Sequence, residues 1–330
     1  MESRRKSVAK ALTLAALSVF TGSVFAQRAM DAYPARPVKM MVGYPPGGLP
    51  DTTARLIAQR LSESTGQQFI IENKPGASGA LACELVARSA PDGHTLLIAD
   101  IGQAAINMAL YPKLAYDTLR DFAPISTLGT SRFFLAVHVS AGVSTFQELV
   151  ALARAKPGHV TYGSSGNGSP AHLATEMLKS IAGLDLLHVP FKGGGQSLPA
   201  LAGGQVHLLF TVLPTVAGVV KAGSVKLLGV ASETRSIQTP DVPTFAEMGI
   251  KGMVILPSVS VLAPVATPKP VIGVLAVEIA KAVHHPETLK RFASMGIEAV
   301  GNSPEAYGAN LKDEIAFYAR AVKLSGATID

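Results

Sequence analysis

The feature that most limits this chain is a repeated order: an apolar strand-like run, a glycine-rich loop, then an amphipathic helix. Val38 to Gly43 leads into Tyr44-Pro45-Pro46-Gly47-Gly48-Leu49-Pro50 and a helix from Thr52 to about Ser64, with Asp51 as its N-cap. Gln68 to Glu72 leads into the loop Asn73 to Gly79 and a helix around Ala80 to Ser89. Thr95 to Ala99 leads into Asp100-Ile101-Gly102-Gln103 and a short helix, Ala104 to Tyr111. A run from Val160 turns through Ser164-Ser165-Gly166-Asn167-Gly168 into a helix ending near Ala182, with Ser169 as N-cap and Pro170 at its first position. Asp185 to Val189 precedes Lys192-Gly193-Gly194-Gly195 and a helix from Gln196 to Ala202.

Such alternation predicts α/β architecture with mostly parallel sheets flanked by helices. Further strands are expected at 122–128, 133–138, 206–210, 225–230 and 259–263. Further helices are expected at 145–156, 214–222, 244–248, 268–284 and 304–324. These are too many units for one compact sheet, so two lobes are expected, 33–133 plus 256–330 and 134–255. In sheets of this kind ligands sit beyond the carboxyl ends of the strands, where the glycine-rich loops fall. Two lobes facing each other would bring those loops to one cleft.

Composition narrows the chemistry. Hydrophobic residues make up 48% of the chain and charged residues 16%, as a folded domain requires. Residues 1–26 read as a secretion signal: Arg4, Arg5, Lys6 and Lys10, an apolar run from Ala11 to Phe20, and a cleavage site after Ala26. Without that segment the net charge falls from +6 to about +3, and no basic patch argues for nucleic acid. Cys83 is the sole cysteine, in an apolar helical pattern, so no internal disulfide forms and a buried small side chain is expected.

The loops do not match a nucleotide fingerprint, and Tyr44 to Asp51 lacks the Lys-Ser/Thr of a P-loop. No histidine pair has zinc spacing. Neither metal nor cofactor is expected. Aromatic residues are only 6%, which argues against a sugar-binding cleft. What remains is a cleft rich in amides and hydroxyls. Such donors suit a carboxylate, since free amides at a helix start favour negative charge. The competing reading is a secreted α/β hydrolase or transferase using Ser164 or Ser165, with His172 as base. It lacks the Gly-x-Ser-x-Gly elbow, since both serines precede the glycine.

Short motifs in a fixed order carry a resemblance. They are Tyr33-Pro34-x-Arg36-Pro37-Val38, Pro45-Pro46-Gly47-Gly48-x-x-Asp51, Glu72-Asn73-Lys74-Pro75-Gly76-Ala77-x-Gly79, and Ala90-Pro91-Asp92-Gly93-His94. Gly163-Ser164-Ser165-Gly166-Asn167-Gly168, His188-Val189-Pro190-Phe191-Lys192-Gly193 and Asp241-Val242-Pro243-Thr244 follow. In this order the chain resembles the Bug (TctC-like) family of periplasmic solute-binding receptors of tripartite tricarboxylate transporters. The resemblance implies a type II periplasmic-binding fold, a hinge between two lobes, and a small organic carboxylate held between them. It implies a periplasmic, monomeric protein that is not an enzyme and delivers its ligand to membrane transporter subunits, or to a sensor kinase.

Carried over residue by residue, the resemblance points to Tyr44, Pro46, Gly47 and Gly48 in the first loop and to Asp100 in the third. In the second lobe it points to Ser164, Ser165, Asn167, Gly168, Lys192 and Gly193. Many family members have an acidic residue where this chain has Thr211, which shifts the expected ligand from an amino acid to a plain mono-, di- or tricarboxylate.

Overall fold

The computed structural model describes residues 33–191 and 194–327. The predicted signal segment, Lys192 and Gly193 lie outside them. Among the described residues no helix is long and apolar enough to cross a membrane.

Two sheets form. The first contains β1 (Val38–Val42), β2 (Phe69–Asn73), β3 (Thr95–Asp100), β4 (Phe122–Ser131), β10 (Ser258–Pro264) and β11 (Ile297–Ala299), in the order β11-β4-β10-β3-β1-β2. The second contains β5 (Phe133–His138), β6 (Thr161–Ser164), β7 (Leu187–Pro190), β8 (Leu208–Val212) and β9 (Val225–Val230), in the order β7-β6-β8-β5-β9.

The α/β fold with two helix-flanked sheets is as expected, but the expectation of mostly parallel pairing needs correction. β10 pairs antiparallel with both β3 and β4, and β5 does the same with β8 and β9. The cause is the crossover. β4 ends at Ser131 and β5 begins at Phe133, with Arg132 alone between them. A strand that enters a sheet from its cleft edge must run against the strands that end there. Phe133 lies opposite Val212, the last residue of β8, and Ser258 opposite Thr130 near the end of β4. The two crossing segments touch: the Ser131 amide donates to the Pro257 carbonyl at 2.8 Å.

Helices cover both faces of each sheet. α1 (Leu49–Thr65) lays Ala54, Ile57 and Leu61 against β1 and β3, beside α7 (Lys269–Val283). α2 (Ala80–Ala87) buries Cys83 on the opposite face, as expected. In the second sheet α3 (Phe146–Ala155) and α4 (Pro170–Ala182) pack on one face, and α5 (Gly194–Ala202) and α6 (Leu213–Lys221) on the other. Thr145 caps α3 in a full capping box with Glu148. α8 (Pro286–Ser294) and the short β11, neither of them predicted, precede the C-terminal α9 (Pro304–Ser325).

α9 straddles the molecule. Tyr307 and Leu311 complete the core under the first sheet, while Tyr318, Ala321 and Val322 join the core of the second. The predicted helix at 244–248 is a series of turns instead. Its start signal is real, for Thr244 and Glu247 exchange side-chain-to-amide bonds, but the chain turns away at Gly249.

Candidate binding cleft

The cleft-facing loops begin where β1, β3 and β6 end. The loop after β1 enters α1 earlier than predicted, so Gly48 is the N-cap and Asp51 lies in the first turn. Asp51 is 1% exposed and reaches back to accept from the Gly47 amide at 2.9 Å. It also accepts from Arg55 Nε at 2.9 Å and Asn73 Nδ2 at 2.8 Å. Burial pushes its carboxyl up, but the bonds from Arg55, Gly47 and Asn73 outweigh this and hold it below the usual carboxylate value. The Gly47 amide is therefore spent on the chain's own carboxylate. Gly48 and Pro46 remain exposed.

At the end of β3, Asp100 accepts from Tyr44 Oη at 3.0 Å and from the Gln103 amide at 3.0 Å. Burial raises its carboxyl above the usual value, and those bonds only partly offset it. Tyr44 is half-buried, with its phenol pushed well up by burial and by Asp100. The two predicted site residues are thus brought together, each occupying the other's polar atom.

Gln103 does the rest of the joining. Its Nε2 donates to the Gly79 carbonyl at 3.0 Å, while its Oε1 faces the Asp100 amide at 3.3 Å. A Cβ on Gly43 would meet Gln103 Nε2 at 2.2 Å and Gly79 Cα at 2.7 Å, so the end of β1 and the second glycine-rich loop touch only because both positions lack side chains. Asn107 Nδ2 holds the Ser78 carbonyl at 3.1 Å. The loop it holds is strained, with Ala77 at φ 46° and Ser78 at φ 51°.

In the second lobe Ser164 ends β6 and α4 starts at Pro170, capped by Ser169 as predicted. Ser164 is 0% exposed. Its hydroxyl contacts the Gly166 amide and carbonyl, each at 3.1 Å, and His188 Nε2 at 2.7 Å. The Ser164 hydroxyl is thus engaged by the loop backbone and by His188 of β7. Ser165 and Asn167 project outward and are exposed. The Gly168 amide donates to His172 Nδ1 at 3.0 Å. Gly168 also rests on the first lobe: a Cβ there would lie 2.3 Å from Leu110 Cδ2. Gly168 thus meets the short helix Asn107–Leu110 that follows β3. Thr211, near the end of β8, is 8% exposed and pairs with Phe134.

Sequence reasoning missed the residues that hold these loops: Asn73, Gln103, Asn107 and His188. His188 stood in a quoted motif, but nothing local in the chain links it to Ser164, 24 residues away. Away from the glycine loops, a cavity of about 810 Å³ lies beside the crossover, lined by Thr130, Arg132, Ser232, Glu314 and Tyr318 among others. Burial pushes the Glu314 carboxyl up to about 7. Arg132 bridges the lobes at its rim, bonding Glu298 of β11 through Nη2 at 3.1 Å and Ser232 Oγ through Nη1 at 2.9 Å.

With its two helix-flanked sheets, the protein has the form of a two-lobed binding protein. Residues 53–326 match the family model described as tripartite tricarboxylate transporter family receptor. The chain belongs to that family. It is similar to Protein BugT of Bordetella pertussis, 33% identical over 96% of this chain and 98% of that one. Among solved structures it is similar to a Rhodopseudomonas palustris protein with adipate, at 34% identity and TM-score 0.77, covering 90% of this chain and 99% of the other. MatC from the same organism, with bound malate, matches at 30% identity and TM-score 0.74, covering 88% of this chain and 100% of that one.

Proposed function

We propose that this protein captures a small organic carboxylate between lobes 33–133 plus 256–330 and 134–255, and delivers it in the periplasm to the membrane subunits of a tripartite tricarboxylate transporter. The observation that carries this is the pair of relatives holding adipate and malate, which cover 90% and 88% of this chain. The ligand is gripped by Gly48 from the first lobe and by Ser165, Asn167, Lys192 and Gly193 from the second, while Gly168, its amide held by His172, sets the end of the loop. Tyr44, Pro46, Gly47, Asp100 and Ser164 shape those loops without offering the main contacts. Amides and hydroxyls suit this task because the empty site then buries no unpaired charge. Closure follows from contacts present only when the lobes meet.

Thr211 leaves no acid to read a ligand ammonium, so an acid without an amine is favoured. Catalysis is disfavoured at Ser164, which is fully buried, and the nearby Glu176 is engaged by Tyr162 and Lys179 rather than orienting His188. Export with cleavage after Ala26 and a monomeric receptor complete the reading.

The test is native mass spectrometry of the protein as purified, followed by thermal shifts with adipate, malate and aspartate. One unaltered carboxylate per chain is expected. A ligand at about 100 times its Kd adds roughly 2.7 kcal/mol of stability. Tight binding of aspartate with none of any amine-free acid overturns the Thr211 argument, and no shift with any carboxylate overturns the function.

A further inference from the structure

We propose that His172 and His188 are positioning residues of the binding loop, two stacked imidazoles that hold its ends at Gly168 and Ser164 and so make carboxylate capture sensitive to acid. The inference rests on the binding role given to this loop above and adds its regulation.

The geometry is specific. The His172 and His188 rings lie 4.1 Å apart and within 7° of parallel. Tyr162 of β6 stacks on His188 at 4.7 Å. Each imidazole touches one end of the loop and they touch each other, so the loop and the ring stack form one unit. Neither is spent on a carboxylate. Glu176 of α4 accepts from Tyr162 Oη at 2.5 Å and from Lys179 Nζ at 2.7 Å.

Hydrogen-bond balance fixes where the His172 proton is. His172 Nδ1 accepts from the Gly168 amide, so its lone pair is in use and its proton is on Nε2. Ser164 Oγ has one proton and two lone pairs. It accepts from the Gly166 amide, and its one proton serves either the Gly166 carbonyl or a neutral His188 Nε2; a charged His188 donates to it from Nε2 in either case. The two histidines therefore respond differently to acid. A charged His188 carries N–H on both nitrogens and keeps its bond to Ser164. His172 can be charged only at Nδ1, which sets two N–H groups against each other and releases Gly168.

The groups facing His172 are Tyr162 of β6, His188 of β7, and Glu176 and Lys179 of its own helix. Burial lowers the His172 imidazole, Glu176 opposes this, and Lys179 adds to it. Burial, and then His172, lower His188 to about 4. Both rings are neutral near pH 7, and the clamp is complete there.

The test compares the wild-type chain with His172→Asn, because Asn places an acceptor oxygen near Nδ1 that does not titrate. Affinity for adipate is measured from pH 7.5 to 4.5, so that protonation of adipate itself cancels in the ratio. The wild-type to variant ratio is expected to weaken by about five- to tenfold toward acid, the worth of one hydrogen bond. In parallel, NMR follows the Gly168 amide and the His172 ring nitrogens in ligand-free wild-type protein. The amide resonance is expected to move with protonation at His172 Nδ1. A ratio that stays flat, or a Gly168 amide indifferent to that protonation, overturns the proposal. The NMR arm needs neither ligand nor variant. If no carboxylate binds at all, the binding role fails while the clamp is still judged by itself.

Discussion

The two lobes build their cleft loops with different chemistry. In the first lobe, Asp51, Asp100, Asn73, Gln103 and Asn107 hold the loops through carboxylates and amides. In the second, two imidazoles and a buried hydroxyl do so. Between pH 6.5 and about 4 acid does not weaken the fold through the two carboxylates of the first set. Asp51 is held below the usual value, so its contribution is present above the ordinary carboxylate value and is lost only as pH falls below it. Asp100 is raised by burial, so acid does not weaken the fold through that group. His172 and His188 are lowered, so the unfolded chain binds more protons in this window and stability falls as pH drops below 6.5. One jaw keeps its shape in mild acid while the other loosens.

The largest effect expected from breaking this arrangement is at the point where the lobes meet. Gly168 has φ 72° and leaves no room beside Leu110. Gly168→Val is expected to reduce carboxylate affinity by at least about a hundredfold, combining backbone strain with the overlap. Gly48→Ala, at an extended position with no neighbour closer than 3.9 Å, is expected to change it by less than about threefold. Calorimetry on the two folded variants checks the contrast, and equal losses would mean that the jaws do not meet at Gly168.

A smaller effect is expected at Asp100. Asp100→Ala leaves Tyr44 Oη and the Gln103 amide without their acceptor. A loss of about 1–3 kcal/mol is expected, read by denaturant unfolding. A neutral outcome would mean that the first jaw is not held through this carboxylate.

A smaller effect again belongs to the strap between the jaws. Arg132→Lys removes the forked guanidinium that reaches Glu298 on one side and Ser232 on the other. Glu298 is half-exposed, so the change is expected to stay within about fivefold. It should be equal for every ligand, because a hinge acts on the lobes and not on the solute. Unequal factors for adipate and malate would place Arg132 in contact with ligand.

Much of this was legible in the chain because it is local. Strand–loop–helix order, the Ser169 cap with Pro170, and the helix start near Thr145 each lie within a few neighbouring residues, where propensity and hydrogen bonding decide. Thr244 and Glu247 mark the limit of such signals. Their capping bonds formed, but with Gly249 next there were too few residues to carry a helix forward. The anchors of the site were not legible. Asn73 finds Asp51 across 22 residues and His188 finds Ser164 across 24, pairings that only the folded sheets create. The reversed strands were hidden too, since one residue of linker says nothing about direction until both sheets exist.

The position of β10 sets the order in which the molecule can be made. It lies between β3 and β4, which leave a gap one strand wide until it arrives. On a chain emerging N-terminus first, all of β5 to β9 appears between β4 and β10. The second sheet therefore has every strand it needs while the first is still open, and its flanking helices α3 to α6 are already synthesised. The half that starts first is finished last. Such long-range closure is slow, and it leaves the facing edges of β3 and β4 unpaired until late. A chain stopped before Ser258 would carry two adhesive strand edges and no first lobe to bury them.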